Sequence, residues 1–77
     1  MEIEVKLFGQ LAEIANQSVL HIHGAADTEE LIQKIMQSYP AMSAIKYRLA
    51  INKKIVTENK SLPIGTMVAL LPPFSGG

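Results

Sequence analysis

Seventy-seven residues leave room for one domain, and the absence of cysteine excludes disulfides, thiolate metal sites and a cysteine nucleophile. A chain this short buries only ~60% of the surface its unfolded form exposes, yet an apolar fraction of 48% is enough for a packed core and argues against disorder. Seven basic and seven acidic side chains cancel, so no net charge draws the chain to nucleic acid or anionic membrane.

The opening MEIEVK mixes charges and does not read as a signal peptide. Glu2 to Leu7 alternates polar and apolar residues, which places Ile3, Val5 and Leu7 on one face of a half-buried strand. Gly9 breaks the strand, and Leu11, Ile14 and Ala15 then recur at helical spacing, predicting a short helix. Gln17 to His23 reads as a second strand, with Leu20 and Ile22 on one face and Val19, His21 and His23 on the other. Asp27 is placed to cap the main helix, and Glu30 to reach back as a capping box. Leu31, Ile32, Ile35, Met36 and Tyr39 form its apolar stripe, and Pro40 stops it. Leu49 and Ile51 mark a third strand, and Asn52-Lys53-Lys54 reads as a turn into Ile55-Val56. The polar stretch Glu58 to Gly65 is connector, with Leu62 as a core plug.

Met67 to Leu71 forms the last strand, and it lacks polar alternation. Val68 and Leu70 point one way while Met67, Ala69 and Leu71 point the other, and both sets are apolar. Such a strand is either central with both faces covered, or covered on one face and offered to a partner on the other. One main helix cannot cover both faces of a sheet, so the second arrangement is expected. The longest apolar run, Met67 to Pro73, is far short of the ~20 residues that span a bilayer. The expected setting is cytoplasmic, with no membrane and no nucleic acid among the partners.

The chain closes on Leu71-Pro72-Pro73-Phe74-Ser75-Gly76-Gly77. Consecutive prolines hold an extended backbone and resist collapse onto the sheet. The four residues beyond Pro73 reach at most ~14 Å. Glycine has no Cβ, so Gly76 and Gly77 suit a narrow channel that any side chain would block. A stiff base with a thin tip suits delivery of a carboxylate into another protein's active site. A carboxylate becomes an acyl donor only when activated, for example by adenylation with ATP. It then accepts sulfur to give a thiocarboxylate, or an amine to give an amide. Neither route needs a catalytic side chain here.

No competing constellation matches this one. His21 and His23 share a strand face, but no third ligand is evident and zinc usually takes three or four. They read as solvent-facing histidines, with no metal expected. The glycines fit neither a dinucleotide fingerprint nor a phosphate loop. None of the serines stands in a recognisable nucleophile context, and Lys53-Lys54 reads as a solvated turn.

The order of elements and the terminal Gly-Gly resemble the ubiquitin-like β-grasp sulfur carriers, and more closely the MoaD family, the small subunits of molybdopterin synthase. Val5-Lys6-Leu7-Phe8-Gly9-Gln10-Leu11-Ala12-Glu13 is similar to that family's opening, and Leu49-Ala50-Ile51-Asn52 to its strand-to-turn segment. Leu62 to Gly77 resembles its closing pattern, in which Pro-Pro-x-x-Gly-Gly follows an apolar strand. The family often has an acidic residue or pair after the glycine at the Gly65 position, where this chain has Thr66-Met67.

The resemblance implies an α+β fold: a mixed sheet packed on one main helix over residues 1–71, with an extended tail over 72–77. It implies that a MoeB-type, E1-like enzyme uses ATP to adenylate Gly77, and that sulfuration then gives a thiocarboxylate. The tail would enter a MoaE-type large subunit, which holds the catalytic residues and uses the sulfur to convert cyclic pyranopterin monophosphate to molybdopterin. The family assembly is a heterotetramer. This subunit would bind no cofactor itself. Gly77 and Gly76 would form the reactive tip, while Met67, Ala69, Leu71, Pro72, Pro73, Phe74 and Ser75 would meet the partner. Alternatives are a sulfur carrier for thiamine thiazole synthesis, a ubiquitin-like modifier joined to lysine through Gly77, and a plain interaction module with an idle tail.

Overall fold

The structure, a computed structural model, describes residues 2–73. Strand β1 spans Glu2–Leu7 and buries every second residue, as its alternation requires. Helix α1, Gln10–Ala15, ends at Asn16, whose left-handed conformation (φ 58°) closes the last turn. That cap displaces the start of β2: extended pairing begins at Val19 rather than Gln17 and runs Val19–His23.

Helix α2, Thr28–Ser38, begins where Asp27 Oδ1 accepts from the Glu30 amide at 2.9 Å. The reciprocal half of the expected capping box is shifted by one residue. Glu30 Oε1 accepts from the amide of Ala26, not of Asp27. Asp27 also bridges to Ser61 of the connector, through the Thr28 amide donating to the Lys60 carbonyl and the Leu62 amide donating to the Ala26 carbonyl, each at 2.9 Å. This end of the helix is pinned further by Asn59, whose Oδ1 accepts from Thr28 Oγ1 and from the Glu29 amide, each at 2.9 Å. Thr28 Oγ1 in turn accepts from the Lys60 amide. Thr28 is buried, and this network meets its hydroxyl on both sides.

After Tyr39, Pro40 ends α2 and starts a 3₁₀ turn, Pro40–Ala44, consistent with its preference for a first helical position. Met42 on this turn is fully buried, a core residue with no periodic sequence signal around it. Strands β3, Arg48–Ile51, and β4, Lys54–Val56, are joined by Asn52 and Lys53, both at positive φ (49° and 71°). Positive φ at both central residues is what a tight hairpin requires. Leu62 then plugs the core from the connector, 2% exposed, as expected. Strand β5, Val68–Leu71, completes the fold.

The sheet order is β2-β1-β5-β3-β4. Strand β5 runs parallel to β1 and antiparallel to β3. This mixed sheet on a single main helix is the β-grasp arrangement the resemblance implied. The core lies between the inward face of the sheet and α2, with Val5, Leu7, Leu31, Ile35, Val68 and Leu70 at its centre.

Candidate functional site: the open sheet face and the root of the tail

Strand β5 is central, yet only one of its faces is covered. Val68 and Leu70 are 1% and 0% exposed beneath the sheet, whereas Met67, just before the strand, is 48% exposed above it. Ala69 and Leu71 are half-buried on that same outer side. The expectation of a strand sealed on one side and open on the other therefore holds, and it holds for a central strand.

The register shows what surrounds this column. Ala69 is paired with Lys6 of β1 and Ala50 of β3, Ala50 with Ile55 of β4, and Leu71 with Arg48. Paired residues point to the same face. The outer face thus runs from Lys6 across Ala69 and Ala50 to Ile55, which is 46% exposed. Ala50 is 6% exposed although it lies outside the core cluster, because it is small and sits between Ala69 and Ile55. Phe8, one residue beyond β1, adds a further 45% exposed aromatic. Met67 is fixed from β3: its amide donates to Asn52 Oδ1 at 3.0 Å, and its carbonyl accepts from the Asn52 amide at 2.8 Å.

Parallel pairing of β1 with β5 carries Pro72 to the loop after β1. A Cβ built on Gly9 would lie 3.1 Å from Pro72 Cγ, closer than most real contacts of that kind. Gly9 also has φ 56°, which side chains rarely adopt. The tail therefore leaves the sheet with its first proline half-buried against a glycine seat, and with Pro73 exposed. The sequence identified Gly9 only as a strand breaker. Its role as a seat depends on a pairing between residues sixty positions apart, which no local pattern carries. Phe74, Ser75, Gly76 and Gly77, assigned from sequence to docking and to the reactive tip, lie outside the described residues.

His21 Nδ1 pairs with Glu2 Oε2 and lies 4.0 Å from Glu4 Oε1, while His23 Nε2 is 3.7 Å from Glu2 Oε1. The two histidines are thus engaged by carboxylates of the neighbouring strand, on the exposed surface. Among the described residues no group of three or more His, Cys, Asp or Glu side chains is arranged to hold a metal ion. No helix among them is long and apolar enough to cross a membrane. A groove between α2 and the β3–β4 edge of the sheet is lined by Ile32, Tyr47, Arg48, Ile55 and Val56 and reaches Pro73.

The ThiS family model matches residues 5–77. The chain belongs to the ThiS family. It is also 31% identical, over 83 aligned positions spanning the whole of both chains, to a molybdopterin synthase sulfur carrier subunit of Chlamydomonas reinhardtii. Among solved structures it is similar to a complex of subunits 1 and 2 of the molybdopterin-converting factor from Helicobacter pylori 26695. That match has a TM-score of 0.73, 30% identity and full coverage of both chains. The small archaeal modifier protein 1 of Methanosarcina acetivorans superposes with a TM-score of 0.84 at 23% identity, over 99% of this chain and 96% of that one. At that identity the likeness is one of fold. The resemblance to MoaD-type small subunits is thus upheld over the full length of this ThiS family member.

Proposed function

We propose that this chain is the sulfur carrier subunit of molybdopterin synthase, and that the carboxylate of Gly77 is its reactive group. The observation that carries the reading is the continuity from β5 to the tail. An apolar column, open to a partner along one face, leads directly into Pro72 on its Gly9 seat, with Gly76 and Gly77 beyond. The full-length match to a carrier subunit of the same name supports it.

The chemistry follows from the carboxylate. An activating enzyme of the E1-like class joins Gly77 to AMP, releasing pyrophosphate from ATP. Sulfur at the sulfide level, HS⁻ or its equivalent, then attacks the acyl carbon, and AMP leaves as the better leaving group. The product is a thiocarboxylate whose sulfur is delivered to cyclic pyranopterin monophosphate in the large subunit. This chain positions the carboxylate, while the partners supply the catalytic side chains. An apolar arm and face contribute about 25 cal/mol per Å² buried, offset in part by the cost of ordering the tail. Intact mass after incubation with ATP, an E1-like enzyme and a sulfur source tests the reading. The expected product carries one oxygen replaced by sulfur at Gly77, and an unmodified chain under conditions that activate a control carrier contradicts it. Isopeptide-linked lysine conjugates lost on deletion of Gly77 would instead mark a protein modifier.

A further inference from the structure

We propose that Lys6 and Arg48 form a basic bracket around the tail root, and that the partner accepting the tail presents carboxylates to both at the mouth of its channel. The inference rests on the carrier reading above and adds to it the chemistry of the partner's surface.

Lys6 and Arg48 lie in the two strands that flank β5, paired with Ala69 and Leu71 respectively, and so stand on the open face on either side of the apolar column. Both are exposed, and among the described residues neither forms an ion pair. The acidic residues of the same face are placed differently. Glu2 and Glu4 lie towards the start of β1; Glu2 is engaged by both His21 and His23, while Glu4 lies 4.0 Å from His21 Nδ1 and lines one shallow hollow with Lys6. The face is therefore polarised although the chain as a whole is neutral, with its free cations beside the exit of the tail.

Geometry makes these cations unavoidable for a partner. From strand spacing and rise, both Cα positions fall within about 12 Å of Pro72. The residues beyond Pro73 extend no more than ~14 Å. A channel that takes in the tail to its end must bring its rim down over the root, and so over Lys6 and Arg48. Covering an unpaired cation with apolar surface strips its hydration without compensation, whereas a carboxylate restores the interaction. Such rim charges govern encounter rate and partner choice more than they add contact area.

The test is a titration of the full chain against the purified large subunit of the same organism, across a range of salt concentrations. Wild type is expected to bind more weakly as salt rises. Lys6→Glu and Arg48→Glu should each weaken binding at least about tenfold and flatten the salt dependence. Lys6→Arg and Arg48→Lys should restore it, and Lys34→Glu, on α2 behind the sheet, should leave both quantities unchanged. Reversal variants that keep the wild-type circular dichroism and melting temperature, yet bind with wild-type affinity and salt dependence, would overturn the proposal while leaving the carrier reading intact. A wild-type chain that neither binds the large subunit nor takes up sulfur would remove both.

Discussion

Gly9 answers two constraints at once, a backbone conformation with φ 56° and the approach of Pro72 to within 3.1 Å of where a Cβ would sit. Gly9→Val should therefore cost about 1–3 kcal/mol in chemical denaturation, because the side chain is strained in that region and pushes on the proline. Asn59 is a different case, since its one side-chain oxygen accepts from Thr28 Oγ1 and the Glu29 amide at the start of α2. Asn59→Ala should lower stability by about 1–2 kcal/mol, as loss of a helix cap and a buried hydroxyl partner does. Sulfur acceptance by the folded variant should be unchanged. Neither role is legible from the residue alone. Asn59 stands in what reads as featureless connector, and its function appears only when the fold returns that connector to α2. The Asp27 cap was legible because its partner, Glu30, is three residues away.

At the scale of elements, β5 couples the core to the site. Its inward residues are fully buried, so Leu70→Ala should cost about 2–5 kcal/mol, which for a domain of this size is a large part of total stability. Its outward residues are those that the proposed large subunit would cover. Ala69→Arg should shift the melting temperature little, because the site is half-open, but should reduce binding of the large subunit by at least about tenfold, read by titration calorimetry. The elements themselves were largely legible. Period-two alternation gave β1 and β2, a short apolar run gave β5, a three-four repeat gave both helices, and Leu62 stood out as an isolated apolar residue in a polar stretch. The 3₁₀ turn that buries Met42 was not, because five residues are too few to show a period. Which strands neighbour β5 was also hidden. Sequence alone placed Met67, Ala69 and Leu71 on one face, but only the order β2-β1-β5-β3-β4 puts Lys6, Ala50, Arg48 and Ile55 beside them.

For the whole molecule, the division of labour follows from size. A chain with so small an interior spends its buried residues on one core and keeps little enclosed volume for a catalytic pocket. In the proposed carrier reading it offers a platform, a face for docking, and a tail root held by the seating of Pro72 on Gly9. The proposed tail function rests on composition, two prolines that stiffen its base and two glycines that leave its tip without side chains. The platform that carries the tail depended on the pairing of the first strand with the last. The most direct test is intact mass of the wild-type chain and of a chain lacking Gly77, each incubated with ATP, an E1-like enzyme and a sulfur source. The account predicts a single oxygen-to-sulfur replacement at the terminus of the wild type and none in the truncated chain. Sulfur uptake that is equal in the two chains, or absent from both while a control carrier is modified, would contradict it.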